Sequence, residues 1–148
     1  MIREGKVQDI PQILHVIHDS IHSCILDHQR DDSIIQTRLE GFTQAQLIVH
    51  MLYNDCWVYS LHDKVVGFLM VSDQGEILMH FVSTNMQRMG YGSLLYHHML
   101  HVMREKGIAQ LEIESTKTAL HYYNKLGFLP QHRVEDEHVE PELHLFKN

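Results

Sequence analysis

The stretch Gln87-Arg-Met-Gly-Tyr-Gly-Ser93 constrains this chain more than any other. It follows Glu76-Ile-Leu-Met-His-Phe-Val82, a run with the make-up of a buried strand, and precedes Tyr91 to Lys106, which reads as a helix. In that helix Leu94, Leu95, Met99, Val102 and Met103 recur at helical spacing and form the expected buried face. Glycines at 90 and 92 let the backbone turn sharply and come close to a ligand. The helix start offers N–H groups with no intrahelical acceptor and the positive end of the helix dipole. Strand, glycine turn and helix together can seat a phosphate or pyrophosphate. Taken alone, the same pattern serves equally as a tight strand-to-helix turn, so its surroundings decide between the two.

Upstream, Ile2-Arg3 reads as a short edge strand. Asp9 reads as a helix N-cap with Gln12 at the capping-box position, and Ile10, Leu14, Ile17 and Ile21 form the buried stripe of that helix. Residues Asp27 to Thr43 keep no clean period. Thr43 caps a second helix, Gln44 to Leu52, with Gln46 completing a capping box. Three strands then run close together, Cys56–Leu61, Val65–Val71 and Glu76–Val82, with turns at His62-Asp63 and Ser72–Gly75. Such short connections predict an antiparallel meander. After the glycine turn and its helix, Gln110-Leu-Glu-Ile-Glu114 alternates like a strand. A strand, a crossover helix and another strand make a right-handed parallel unit. A short helix from Ser115-Thr116 to Leu126, closed by Gly127, leads to a final hairpin across an acidic loop that begins at Glu135-Asp-Glu137.

The totals exclude several classes of function. At 148 residues the chain fits one domain, spanning 1–148, with a sizeable core. A formal charge of −7 argues against general affinity for nucleic acid or an anionic membrane, both of which need a basic face. Cys24 and Cys56 share no short spacing, so reduced thiols in the cytoplasm are expected rather than a disulfide framework. The N-terminus has no apolar signal core, and no run approaches the ~20 apolar residues of a membrane span. His15, His18 and His22 flank the stripe of the first helix. With no carboxylate or Cys partner they read as boundary residues, not metal ligands, although the 14 histidines keep a metal-binding module as a third reading.

Two motifs now stand in order: Gln87-x-x-Gly90-x-Gly92, and Thr116-x-x-Ala119-x-x-x-Tyr123-x-x-x-Gly127-Phe128. On these the chain resembles the GNAT superfamily of acyl-CoA-dependent N-acyltransferases over nearly its whole length. Cys24-x-x-Asp27-His28 and Ser115 to Ala119 look like a bacterial subset of that family with unassigned acceptors. The resemblance implies an α/β fold: a mixed, mostly antiparallel sheet, helices on both faces, and a splayed parallel pair made by the strands at 76–82 and 110–114. It also implies acetyl-CoA as co-substrate, with no metal. Backbone N–H groups of Arg88, Met89, Gly90, Tyr91, Gly92 and Ser93 would hold the pyrophosphate, with Gln87 opening the same cofactor-binding motif. Phe81 and Val82 would pair through backbone atoms with the pantetheine arm. Thr116 stands where many members have Asn, and Val82-Ser-Thr84 stands where Val-x-Pro is frequent. Tyr123 matches the tyrosine that protonates the leaving thiolate.

The chemistry suits these residue types. An amine acceptor is largely protonated at neutral pH and must lose a proton before it attacks a thioester. Glu76 is the first candidate for the base. His80 shares its face by strict alternation, unless a bulge of the kind usual in this family breaks the pattern. Glu112 and Glu114 are further candidates. The acceptor would be a small-molecule or peptide amine, with no nucleic-acid or membrane partner; a homodimer is left open. The alternative is a non-catalytic acyl-CoA sensor on the same fold. The 27–43 segment should set acceptor choice, because loops on a rigid scaffold usually carry specificity. Exchanging it is expected to change which amines react in a thiol-release assay while leaving coenzyme A affinity intact.

Overall fold

The computed structural model describes residues 1–23, 41–115, 120–130 and 143–147. Most of the segment expected to set acceptor choice (27–40), Cys24, Thr116, Ala119 and the acidic loop at 135–142 lie outside the described residues. The elements are β1 (Ile2–Glu4), a 3₁₀ turn (Val7–Asp9), α1 (Ile10–Ser23), α2 (Gln44–Tyr53), β2 (Asp55–Leu61), β3 (Lys64–Val71) and β4 (Glu76–Val82). A second 3₁₀ turn (Thr84–Met86), α3 (Tyr91–Glu105), β5 (Leu111–Ser115), α4 (Leu120–Lys125), β6 (Leu129–Pro130) and β7 (Leu143–Lys147) follow. Among the described residues the strands form one sheet in the order β1-β2-β3-β4-β5-β7-β6. Every neighbouring pair is antiparallel except β4–β5, which is parallel.

Local chemistry sets most boundaries. At α2 the capping box forms: Thr43 Oγ1 accepts from Gln46 N–H at 3.3 Å, and Gln46 Oε1 accepts from Thr43 N–H at 3.2 Å. The start of α1 departs from expectation. Asp9 is not an N-cap but closes a 3₁₀ turn that precedes the helix. Its carboxylate takes Lys6 N–H at 2.9 Å and a two-pronged Arg3 guanidinium at 2.8 Å on each oxygen. The helical turn thus starts at Lys6, with Asp9 as its third residue closing back on the Lys6 N–H, and the hydrogen bonds from Arg3 hold Asp9 below the usual carboxylate range. Gln12, freed from capping, accepts Val65 N–H of β3 at 2.9 Å.

Two cores sandwich the sheet. β3 is buried from Val65 through Val71, as a strand covered on both faces must be. On one face Ile10, Ile13 and Ile17 of α1 and Leu47 of α2 pack on Val58, Phe68 and Met70. On the other, Leu95, Tyr96, Met99 and Met103 of α3 pack on Trp57, Leu69 and Ile77. The buried face of α3 runs through 95, 99 and 103, so Leu94, one residue round the helix, is 48% exposed and Tyr96 takes the place expected for it. No helix among the described residues is long and apolar enough to cross a membrane.

β4 carries the two irregularities that matter for function. Met70 pairs with Met79 and Val71 with Ile77, so Leu78 is bulged out of the ladder with β3. Ile77 packs on the α3 side, whereas Leu78, Met79 and Phe81 all pack on the α1 side. The alternation therefore restarts at Met79, and Glu76 and His80, which strict alternation would put on one face, fall on opposite faces. The second irregularity is the pairing with β5. It holds at Glu76↔Glu112 and Ile77↔Ile113 and then stops, although β4 continues to Val82 and β5 to Ser115. The closed end is pinned at Gly75, whose carbonyl accepts Glu112 N–H at 2.9 Å. Gly75 has φ +86°, and a Cβ there would lie 2.4 Å from the Gln110 carbonyl oxygen. Gly75→Ala is expected to lower stability by roughly 1–3 kcal/mol through strain at that junction, measured as a denaturant midpoint shift. An unshifted midpoint would show that the junction can open without cost.

Candidate active site

Where β4 and β5 part, the chain places its glycine turn on one side. Arg88 (φ 66°) and Gly90 (φ 87°) take the left-handed conformation, which turns successive N–H groups toward one concavity. The first backbone bond of α3 runs from Leu94 N–H to the Gly90 carbonyl at 3.0 Å, so Tyr91, Gly92 and Ser93 have no acceptor one turn back. The two glycines are needed for different reasons. A Cβ at Gly90 would meet nothing within 4 Å, so the angle demands glycine there. At Gly92 the angle is ordinary. A Cβ would lie 3.3 Å from Val82 Cγ2 and 3.4 Å from His80 Nε2, so a methyl there is a tight fit against β4 and a larger side chain would displace it. Arg88, Met89 and Gly90 are exposed on the outside of the turn. An open ring of N–H groups at a helix start fits an anionic group such as a pyrophosphate.

Several side chains fasten this turn. Gln87 Nε2 donates to the Val82 carbonyl at 3.1 Å, so that side chain is spent on the end of β4. Ser83 N–H goes to Val66 of β3 at 2.8 Å; Val82, one residue earlier, therefore turns its own N–H and carbonyl toward the open side. Thr84 N–H donates to Asp19 Oδ2 of α1 at 2.6 Å, and its hydroxyl donates to the Asp19 carbonyl at 3.2 Å. A proline at 84 could not make the first of these bonds. Tyr91 packs its ring on Tyr59 at 4.5 Å between centroids, and Phe81 meets Phe42 edge-on at 5.8 Å on the α1 face.

On the α3 side of the sheet, His80 and Tyr123 meet. His80 Nδ1 is 3.0 Å from the Tyr123 hydroxyl, and Nε2 is 2.9 Å from the Gly92 carbonyl. Burial pushes the imidazole down to about 4, so the ring is neutral at pH 7. Tyr123 is 5% exposed and packs beside Tyr96 and Phe128. Burial, reinforced by the neighbouring Tyr122 and Tyr96, raises its phenol well above the ordinary range, so it keeps its proton. Tyr122 is half-buried, and its hydroxyl lies 3.0 Å from Ser93 Oγ at the start of α3. Both tyrosines thus reach the glycine turn, one directly and one through His80.

The remaining candidates lie apart. Glu76 is exposed at the closed end of the parallel pair, on the face opposite His80 and four residues before it, roughly 13 Å of strand at the usual rise. Glu112 is half-buried in register with it. Among the described residues no three His, Cys, Asp or Glu side chains converge as a metal site, and His15 and His22 are exposed. The His80–Tyr123 and Ser93–Tyr122 pairs left no local trace in the sequence, because their partners are 43 and 29 residues apart.

Comparison with known proteins matches these features to one family. The family model described as "Acetyltransferase (GNAT) domain" matches residues 28–141. No curated protein is similar to the chain at a significant level. Among solved structures, the PaiA N-acetyltransferase of Thermoplasma acidophilum, in complex with coenzyme A, superposes with a TM-score of 0.83 at 15% identity, covering 99% of this chain and 97% of that one. A GCN5-related N-acetyltransferase of Rhodopseudomonas palustris gives 0.86 at 15% identity, covering 99% and 94%. Ard1 of Thermoplasma volcanium gives 0.73 at 21%, covering 99% and 95%. At these identities the likeness establishes the fold.

The enclosure of His80 has a direct readout. Its titration by NMR is expected to show a midpoint near 4 rather than the usual ~6.5. Because the folded value lies below the unfolded one, the unfolded chain binds the extra proton first. The contribution of His80 to stability is then constant above about 6.5 and declines as pH falls from there toward about 4. A midpoint near 6.5 would place the ring in water and remove the enclosed pair.

Proposed function

The chain belongs to the acetyltransferase (GNAT) domain family and is thereby an acyltransferase; on that premise we propose that it moves an acetyl group from acetyl-CoA to a primary amine by direct attack. The observation that carries this reading is the opening between β4 and β5, with the glycine turn of α3 on one side and the Tyr123 hydroxyl tied to the same turn through His80. The coenzyme supplies an acyl group already activated as a thioester. The backbone N–H groups from Arg88 to Ser93 hold its pyrophosphate, supported by the left-handed turn and the open helix start. Val82 lines the arm through backbone atoms, whereas Phe81 keeps its own backbone groups on Phe68 of β3. Val82 offers its N–H, since its carbonyl is already engaged by Gln87.

Tyr123 acts as the general acid. It keeps its proton at neutral pH, which an acid must do before the thiolate leaves. Amine deprotonation divides the first two base candidates, His80 and Glu76. His80 has Nδ1 taken up by Tyr123 and its basicity suppressed by burial. Glu76, exposed on the other face, would reach an amine only through water. The acceptor is a small-molecule or peptide amine met by the 27–43 segment. The two cysteines, one a buried free thiol at Cys56, support a cytoplasmic setting.

Two variants test the reading. Gly92→Val is expected to weaken coenzyme A binding at least ~10-fold by calorimetry, because the branched side chain drives Val82 and His80 away from the cradle. Unchanged affinity in a folded variant would remove the seat. Tyr123→Phe keeps the ring and its packing and removes only the hydroxyl. Its kcat at saturating acetyl-CoA is expected to fall roughly 10²–10⁴-fold, with Tyr122→Phe mild beside it. Wild-type turnover by Tyr123→Phe would end its role as acid, and coenzyme binding without thiol release toward any amine would leave a sensor.

A further inference from the structure

His80 sits where β4, α3 and α4 come together, and its two ring nitrogens face different elements. We propose that His80 is a positioning residue: Nε2–H grips the Gly92 carbonyl at the start of α3 while Nδ1 receives the Tyr123 hydroxyl, so the cradle turn fixes the place of the phenol. This rests on the acetyl-transfer reading only in what the phenol is used for.

The direction of each bond follows from donor and acceptor chemistry. A carbonyl oxygen can only accept, so the nitrogen 2.9 Å from Gly92 carries the hydrogen. A neutral imidazole carries one ring hydrogen, which leaves Nδ1 bare and able only to accept. The phenol, 3.0 Å away, therefore donates to it. Burial that keeps the ring neutral is the condition for this tautomer, and the enclosure described above supplies it. The result is a chain of fixed polarity, from the Gly92 carbonyl through His80 to the Tyr123 hydroxyl.

Three features make this a built arrangement. Gly92 has no side chain on the side that faces His80, where a Cβ would already lie 3.4 Å from Nε2 and leave no room for a larger group. The bulge at Leu78 is what turns His80 to the α3 side at all. Tyr123 lies in a six-residue helix, which has little rigidity of its own, so its hydroxyl depends on an outside anchor. His80 supplies the anchor from a strand interior. A proton leaving Tyr123 toward the opening must first turn away from Nδ1. The bond thus holds the oxygen in place while keeping it neutral until the leaving group draws its proton. His80 needs to take no proton from the amine for this role.

The test combines a spectrum with a double-mutant cycle. In the ¹⁵N spectrum of the wild-type protein at pH 7, His80 is expected to be protonated at Nε2 and bare at Nδ1. Tyr123→Phe is expected to shift the Nδ1 resonance and leave Nε2 protonated. A ring protonated at Nδ1, or an Nδ1 resonance indifferent to Tyr123→Phe, overturns the proposal, and both readouts are independent of any turnover. In kinetics, His80→Gln keeps a donor for Gly92, while its one acceptor, the amide oxygen, is displaced from the Nδ1 position that meets Tyr123. Its kcat is expected to fall roughly 10–100-fold, the scale of a small misplacement of a reacting group, with KM for acetyl-CoA nearly unchanged. In the Tyr123→Phe background the same substitution should cost nothing further, because His80 acts through the phenol. Additive losses would make His80 a group with chemistry of its own and overturn the proposal. Absence of turnover with every amine would instead count against the acetyl-transfer reading, and the spectrum would still decide the role of His80.

Discussion

Two parallel strands that pair for a short distance and then part set the terms for the rest of this molecule. At their closed end Gly75 lies against the Gln110 carbonyl, closer than any side chain allows, and receives Glu112 N–H. Beyond Ile77 and Ile113 the ladder stops, and the edge of β4 facing β5 is left with backbone groups that have no strand partner. Exposed ladder groups in mid-sheet are costly unless something else satisfies them. The Val82 carbonyl is satisfied in this way by the Gln87 side chain. β5 stays in the sheet because β7 pairs with it along its whole length, so the opening does not unravel the far side.

The turn beside the opening is held from several directions. Asp19 of α1 reaches Thr84, Gln87 folds back on Val82, His80 takes the Gly92 carbonyl, and Tyr122 meets Ser93. The Thr84 N–H is spent on Asp19, while the other bonds use a side chain or a carbonyl and leave the N–H groups from Arg88 to Ser93 unused. That division suits a rigid anion seat, since the groups that fix its shape are not the groups that would bind. Thr84 shows the same economy. Where proline would stiffen the chain after β4, threonine donates its N–H to Asp19 and stiffens it by a tie to α1.

Enclosure decides what the titratable groups of the site can do. An imidazole held down to about 4 has little capacity to take a proton from an ammonium group, and a phenol raised by burial does not lose its proton unaided. Both are therefore neutral hydrogen-bonding groups until a reacting species changes the local charge. Neutrality also suits their setting, Tyr123 buried and His80 half-buried, because each satisfies the other and no isolated charge is placed against the core.

Local rules read much of this fold from the residues alone. The limits of β4, the Thr43–Gln46 box at α2, the two-residue turn at His62 and Asp63 and the glycine start of α3 all depend on neighbours within a few residues. Side-chain period, cap chemistry and left-handed backbone angles suffice for them. The two ordered motifs carried the family, and with it the parting of β4 from β5. Other features were decided by contacts that no local period encodes. Asp9 closes a turn that starts three residues earlier, at Lys6, and its carboxylate is shared with Arg3 of β1, which only the fold brings within reach. Leu94 belongs to the apolar pattern of α3, yet the angle at which that helix meets the sheet gave its place to Tyr96. The face of His80 turned on one bulged residue, Leu78, because a single extra residue reverses every later side chain in a strand. Its bond to Tyr123 joins positions 43 apart, and only the closing of α4 over the sheet brings that hydroxyl to that nitrogen.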